Sequence, residues 1–137
     1  MKKYRLLSVT AAMLLSVFAV RAQNQQPQTP EQKEKQLMEF VDKEVRRLGD
    51  LLKLEYWQEF YVDSTLTHDY KAMSEELEGM QRAKVENSDL YIAVQDKWME
   101  KIDRSYESFF TEDQWKKYLK SGAKRAQDAR DKRKNKK

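Results

Sequence analysis

Beyond residue 30 the chain contains no proline, and its only glycines are Gly49, Gly79 and Gly122. A β-rich domain needs frequent tight turns, and glycine and proline supply most of them. The same region is rich in Glu, Lys, Gln, Leu, Met and Ala, which are all good helix formers. The sequence therefore predicts an all-α fold, and its apolar spacing suggests about four helices.

The N-terminus has the pattern of a bacterial signal peptide. Three basic residues lie within the first five positions, and an almost uninterrupted apolar run follows over 6–20. This run is shorter than the about 20 residues that a spanning helix needs, and Ala22 is a small residue suited to cleavage before Gln23. We expect a signal peptide over 1–22 and a periplasmic or secreted protein, with a retained N-terminal anchor as the alternative. Residues 23–30 are polar, contain both prolines, and are predicted to be a disordered linker.

The residue types required for most catalytic and metal sites are scarce. No cysteine is present, which excludes disulfides, CxxC redox chemistry and thiolate metal sites. No Gly-rich phosphate loop or nucleophile–base pattern occurs, so we predict that the protein is not an enzyme and has no cofactor. His68 is the only histidine. A metal site there would need Asp69 or other carboxylates, and a solvated helix residue is the simpler interpretation.

Charge is distributed unevenly along the chain. Residues 124–137 contain eight basic and two acidic residues, whereas 23–123 contain 15 basic and 21 acidic residues. We therefore divide the chain into a helical domain, 31–123, and a basic tail that is partly helical or disordered. The tail is suited to anionic lipid headgroups or an acidic protein surface, including that of a second subunit. A frayed, solvated helix end is the plainer alternative. Its basic residues are Lys124, Arg125, Arg130, Lys132, Arg133, Lys134, Lys136 and Lys137.

Apolar residues recur at helical spacing along the domain. The first predicted helix spans 31–48 and ends with Gly49 as its C-terminal cap, so that Asp50 can begin the next element. The second spans 55–86, with a bend near 63–65, and would be roughly 45 Å long at about 1.5 Å per residue. That length indicates an elongated molecule. The latter half of this helix carries a heptad-like stripe suited to a partner helix, formed by Leu66, Tyr70, Met73, Leu77 and Met80.

Capping residues mark the starts of two further helices. Asn87 or Ser88 can cap the third helix. Thr111 is predicted to open the fourth, because the segment TEDQ that it begins fits the capping box. In that motif a threonine oxygen accepts from the helix amide, and Gln114 accepts from the amide of the capping residue.

The capping-box segment resembles an earlier stretch of the chain. FTEDQ (110–114) aligns with LEYWQ (54–58): each has an apolar residue, a cap position, two spacers and a glutamine. Together with the signal-like N-terminus, the absence of cysteine and the helical composition, this pair resembles the motifs of the Spy/CpxP-type LTxxQ family of periplasmic proteins. The resemblance covers residues 37–119, with Glu55 in place of threonine in the first copy and phenylalanine in place of leucine in the second. The motif residues are Leu54, Gln58, Phe110, Thr111 and Gln114.

The resemblance implies an antiparallel, cradle-shaped homodimer of long helices. Family members act as ATP-independent chaperones or stress-response accessories, and some relatives bind metal. The resemblance therefore implies that this is an exported protein that binds other proteins, either unfolded clients or specific partners. The acidic domain is a departure, because members that hold clients tend to have a basic concave face. Aromatic side chains on the cradle would shield clients, and the candidates are Trp57, Phe60, Tyr61, Trp98 and Phe109.

Two other interpretations stay open. Trp57, Trp98 and Trp115 lie at helical spacing, which also fits a buried core or a dimer interface rather than an exposed patch. The alternative function is a structural or adaptor protein that docks on envelope lipid or a membrane partner through the basic tail. Nucleic acid is not expected as a partner of an exported protein.

Overall fold

The computed structural model describes residues 27–136. The predicted signal peptide, the first part of the predicted linker, and Lys137 lie outside the described residues. Within that range the chain is helical and has no β-strand, which confirms the all-α prediction. From Lys35 onward the described residues form one compact unit. The elements are α1 (Pro30–Leu52), α2 (Tyr56–Arg82), α3 (Ser88–Phe109), α4 (Glu112–Tyr118), a wide π-helical turn (Leu119–Ala123) and α5 (Lys124–Asn135).

Helix α1 does not stop at Gly49, so the predicted cap is wrong. The helix continues to Leu52 because that side chain extends the buried stripe begun by Val41 and Leu48. Gly49 has a different role: a Cβ there would lie 2.7 Å from a carboxylate oxygen of Glu59 on α2. The glycine therefore leaves room beside α1 for the side chain of Glu59.

Helix α2 is one continuous helix through 63–65, where the sequence suggested a bend. It ends at Arg82, four residues before the predicted end, and measures about 40 Å at 1.5 Å per residue. Lys84 then adopts φ 56°, which turns the chain toward α3. Asn87 caps α3 as predicted, with its Oδ1 accepting from the amide of Asp89 at 2.9 Å.

Helices α2 and α3 form an antiparallel hairpin. Tyr70 of the predicted stripe donates its hydroxyl to the sulfur of Met99 at 3.7 Å. Farther from the core, the ammonium of Lys97 lies 2.6 Å from the carboxylate of Glu76. Because earlier residues of α2 contact later residues of α3, the two helices run in opposite directions.

The buried core contains tyrosine and phenylalanine but no tryptophan. The rings of Tyr106, Phe110 and Tyr118 lie 5.0 to 5.9 Å apart. None of the three tryptophans is fully buried. Trp115 is half-buried and packs against the core, as predicted, whereas Trp57 is exposed. Trp98 is half-buried, and its indole N–H donates to a carboxylate that lies near the surface. The buried hydrophobic residues are Val41, Leu48, Leu52, Val62, Leu66, Ile102, Tyr106, Phe110 and Tyr118.

Between residues 27 and 136 we find no helix with the length and apolar character required to cross a bilayer.

Candidate functional site

The two glutamines of the repeated motif contact each other. Gln58 Nε2 donates to Gln114 Oε1 at 2.7 Å, and Gln114 Nε2 donates to Gln58 Oε1 at 3.0 Å. Both side chains are buried. A carboxamide has donors and an acceptor in one plane, so two of them can pair reciprocally without leaving either polar end unsatisfied.

Each glutamine also closes the start of its own helix. Gln58 Oε1 accepts from the amide of Glu55 at 2.9 Å, and Gln114 Oε1 accepts from the amide of Thr111 at 2.9 Å. The hydroxyl oxygen of Thr111 accepts in return from the amide of Gln114 at 3.3 Å, which confirms the predicted capping box. The two carboxamide oxygens therefore serve amides that have no partner within the first helical turn.

The remaining amide hydrogens reach the ends of the preceding helices. Gln58 Nε2 donates to the carbonyl of Phe109, the last residue of α3, at 3.0 Å. Gln114 Nε2 donates to the carbonyl of Leu52, the last residue of α1, at 3.4 Å. The two side chains and these backbone groups, which we call the glutamine junction, join the ends of α1 and α3 to the starts of α2 and α4.

A third motif of the same kind lies where the sequence suggested only a linker. Thr29 and Gln32 form a reciprocal capping box at the start of α1, with hydrogen bonds of 3.0 and 3.2 Å. Both side chains are exposed. The sequence contains a signal for this difference, because Leu54 and Phe110 precede the junction motifs whereas a polar residue precedes Thr29.

Four aromatic side chains form an exposed cluster on the first turns of α2, which we call the aromatic surface. Tyr56, Trp57, Phe60 and Tyr61 are 88%, 46%, 65% and 51% exposed. The ring of Tyr61 contacts two of the others, with centroids 5.9 Å from Trp57 and 6.0 Å from Phe60. Half-buried Phe109 extends the cluster onto α3, 5.7 Å from the ring of Tyr61.

An open groove of about 580 Å³ lies beside the aromatic surface. The indole of Trp57 forms part of its wall, and the N–H of that ring donates to a carboxylate oxygen of Glu55 at 2.6 Å. The lining therefore combines aromatic rings with hydroxyl groups, a chemistry suited to apolar side chains and peptide backbone. The lining residues are Trp57, Tyr61, Thr65, Ser105, Ser108, Phe109, Phe110 and Thr111.

The structure brings together four of the five predicted client-binding residues. Trp57, Phe60, Tyr61 and Phe109 belong to the cluster. Trp98 is separate, since it lies eleven positions before Phe109, about 16 Å along the same helix. The sequence interpretation also missed Tyr56, the most exposed of these aromatic residues, because a ring one position before Trp57 does not extend an apolar stripe.

Trp98 belongs to a polar cluster between α2 and α3. Its indole donates to Glu76 at 2.7 Å, and the ammonium of Lys101 lies 4.8 Å from its ring centroid. Hydrogen bonds from Lys97 and Trp98 hold the pKa of the Glu76 carboxyl below its usual value. This indole therefore bridges the hairpin rather than standing free for a client.

Helix α5 is held on α3 through a buried carboxylate. Asp103 is only 7% exposed and accepts from the hydroxyl of Tyr118 at 2.7 Å and from Gln127 at 3.2 Å. Its second oxygen pairs with the guanidinium of Arg130, which is also buried. Burial, and then the hydrogen bond to Asp103, raise the pKa of the Tyr118 hydroxyl. Asp103 thus joins α3, α4 and α5 at one point, which the sequence analysis missed.

Two further ion pairs fasten the outer half of α5. The guanidinium of Arg133 donates two hydrogen bonds of 2.7 Å to Asp96, which raises the pKa of that arginine. Lys134 pairs with Glu100, and hydrogen bonds from Lys134 and Arg104 hold the pKa of the Glu100 carboxyl low. Part of the predicted basic tail is therefore bound by α3 of the same chain, and the chain remains helical to Asn135.

The imidazole of His68 lies at the surface beside a buried carboxylate. Its Nδ1 is 2.8 Å from Asp69 Oδ1, which also lies 3.2 Å from the ammonium of Lys101. The carboxylate that a metal at His68 would need is therefore engaged by a lysine. Across residues 27–136, no group of three or more histidine and acidic side chains is arranged to hold a metal ion.

Neither a protein-family model, nor a curated protein, nor a solved structure matches the chain.

Proposed function

We propose that the protein binds apolar segments of other proteins on its aromatic surface, without catalysis, as an ATP-independent chaperone or stress-response accessory of the cell envelope. The observation that carries this proposal is the exposure of Trp57 and Tyr61, which line a groove, and of Phe60, whose ring contacts Tyr61. Exposed apolar patches on soluble proteins commonly mark interaction sites, and aromatic rings are enriched where binding energy is concentrated.

The position of the aromatic surface supports a preformed binding site. Its residues occupy the first turns of α2, and the glutamine junction fixes the start of that helix. A rigid surface loses little conformational freedom when a ligand binds, so more of the contact energy appears as affinity. The hydroxyls of Ser105 and Ser108 in the groove donate to backbone carbonyls of α3, and their oxygens can accept hydrogen bonds from the amides of an extended peptide.

The family resemblance adds a homodimer to the proposal. Two copies would present two aromatic surfaces, which would raise the apparent affinity for a client that reaches both. Analytical ultracentrifugation of the same preparation measures the oligomeric state.

An aggregation assay tests the proposal. The protein is purified as a bacterial host exports and processes it, and light scattering by an unfolding client is followed without nucleotide. We expect suppression at near-stoichiometric ratios for the unaltered protein, and a several-fold weaker effect for the double variant Tyr56→Ser/Phe60→Ser.

A matched control separates the aromatic surface from exposed apolar area in general. Leu90 and Ile92 are 46% and 40% exposed at the start of α3, outside the aromatic surface and its groove, and Leu90→Ser/Ile92→Ser should suppress aggregation as the unaltered protein does. Equal losses in both double variants, or no suppression of several unrelated clients by the unaltered protein, would contradict the proposal. Far-ultraviolet circular dichroism verifies that each variant is folded.

A further inference from the structure

Helix α5 has two faces with different charge environments. Arg130 and Arg133 point toward α3, where acidic side chains neutralise them. Successive residues of an α-helix turn by about 100°, so Arg125 and Lys132 lie on the opposite side. We call the exposed cations on that side and in the preceding turn the outer basic face: Lys120, Lys124, Arg125 and Lys132.

The outer basic face has few acidic partners of its own. Lys124 pairs with Asp128 within the helix. In the part of the chain that the structure describes, no ion pair includes Lys120, Arg125 or Lys132. Within residues 27–136 the face therefore retains a net positive charge, because three of its four cations have no ion-pair partner there.

The turn before α5 opens a groove beneath these cations. Gly122 adopts φ 116° there, and no atom lies within 4 Å of the position that a Cβ would take. The groove measures about 750 Å³, with Leu119 and Ala129 among its lining residues. Four cations and one carboxylate, that of Asp128, which is paired with Lys124, thus surround a small apolar lining.

We propose that the outer basic face docks on an anionic membrane surface by binding lipid phosphate groups. Lysine and arginine residues near such a surface contribute additively to attraction. The apolar lining favours a lipid, because the glycerol and upper acyl carbons beside the phosphate can contact Leu119 and Ala129. A nucleic acid backbone would satisfy the cations but has no comparable apolar part.

The contacts of α5 with α3 hold the outer basic face in place before a partner binds. Because Arg130 is buried against Asp103 and Arg133 is bound by two hydrogen bonds, α5 is already ordered before any partner arrives. A disordered basic tail would lose conformational freedom on docking, whereas this helix does not.

Cosedimentation with vesicles tests the proposal. The protein is purified as exported by a bacterial host, and mass spectrometry confirms that all variants share one N-terminus. Vesicles contain either phosphatidylcholine alone or phosphatidylcholine with phosphatidylglycerol. We expect binding only to the phosphatidylglycerol vesicles at low salt, with loss at high salt.

Two triple variants with the same change in charge distinguish the outer basic face from net charge. Lys120→Gln/Arg125→Gln/Lys132→Gln should lower the vesicle partition coefficient at least about tenfold. The control triple on α1 and α2, Lys35→Gln/Lys43→Gln/Lys71→Gln, should lower it about twofold or less. Equal losses in the two triples would overturn the proposal, as would equal binding of the unaltered protein to both kinds of vesicle.

Binding to a duplex oligonucleotide is compared with binding to vesicles for the same variants. If the outer-face triple lost oligonucleotide binding and kept vesicle binding, the membrane assignment would be wrong. The proposal does not depend on the aromatic surface, so the outer-face triple should suppress client aggregation as the unaltered protein does. The two proposals are therefore tested separately: unchanged vesicle binding by the outer-face triple would contradict the membrane proposal, and unchanged aggregation suppression by Tyr56→Ser/Phe60→Ser would contradict the aromatic-surface proposal.

Discussion

Gln58 and Gln114, 56 residues apart in the chain, exchange two hydrogen bonds between their side-chain amides. Each side-chain amide also accepts from the backbone N–H at the start of its own helix and donates to the last carbonyl of another helix. The repeated motif is therefore a structural device that holds four helix ends together, and it positions the aromatic surface at the start of α2.

Removal of either junction glutamine should destabilise the protein more than removal of an exposed capping glutamine. Gln58→Ala leaves several buried polar groups without partners, and we expect a loss of about 2–4 kcal/mol in the free energy of unfolding. Gln32→Ala removes only an exposed cap and should cost about 1 kcal/mol. Urea unfolding measures both, and a cycle with Gln114→Ala should show strong coupling. Equal costs for Gln32→Ala and Gln58→Ala would contradict the role of the junction.

Arg130 should contribute far more to stability than its neighbour Arg133. Arg130→Met leaves the buried Asp103 without its cation, which should cost about 3–5 kcal/mol. The Arg133 side chain is 46% exposed in its ion pair, so Arg133→Met should cost about 1 kcal/mol or less. The double variant Asp103→Leu/Arg130→Met should recover part of the loss. If urea unfolding gave equal costs for the two single arginine variants, Asp103 would not be the main attachment of α5.

Alkaline pH should unfold the protein through its buried tyrosines. Burial raises the pKa of Tyr106 and of Tyr118 above the ordinary value of 10.0. The unfolded chain loses these protons near pH 10 while the folded protein keeps them, so the free energy of unfolding falls as pH rises above that value. The slope should be about 1.4 kcal/mol per pH unit for each tyrosine.

Tyrosinate absorbance followed together with circular dichroism checks this expectation. A component of the absorbance should appear only as helical signal is lost. Tyr106→Phe should reduce the slope by about 1.4 kcal/mol per pH unit, because one shifted group is removed. Full ionisation of every tyrosine with the helical signal intact would show that these hydroxyls are accessible in the folded protein.

Two glycine-to-alanine substitutions should have opposite effects. Gly122→Ala should lower the free energy of unfolding by about 1–2 kcal/mol, because φ 116° is strained for any residue with a Cβ. Gly79→Ala should raise it by about 0.5–1 kcal/mol, since Gly79 is helical and the nearest atom is 3.8 Å away, in the flexible side chain of Arg82. Thermal unfolding distinguishes the signs, and a stabilising Gly122→Ala would contradict the turn geometry.

Local signals predicted much of the fold. Helix-forming composition indicated the all-α class, and the caps at Asn87 and Thr111 marked the starts of two helices. The prediction that α1 ends at Gly49 was wrong. Glycine commonly ends helices, whereas here it accommodates Glu59 from another helix. That reason is tertiary, so no local pattern contains it.

The candidate site shows the same division between local and tertiary information. Trp57 and Tyr61 are four residues apart and share one face of α2, but helical spacing cannot show whether that face is buried in the core or exposed to solvent. Asp103 resembles any other acid in a highly charged chain until its partner, 27 residues later, is brought beside it. The pairing of Gln58 with Gln114 was likewise hidden, because each glutamine alone is explained by its own helix start.

The glutamine junction carries no charge, so its hydrogen bonds should respond to pH and salt differently from the surface ion pairs of α5. Neither acid nor alkali changes the ionisation of a carboxamide, and salt does not screen its hydrogen bonds. The surface pairs of Arg133 and Lys134 with α3 weaken as ionic strength rises. We therefore expect backbone amides of α5 beyond Arg130 to exchange with solvent through local openings, whereas the amides beside Gln58 should exchange only on global unfolding.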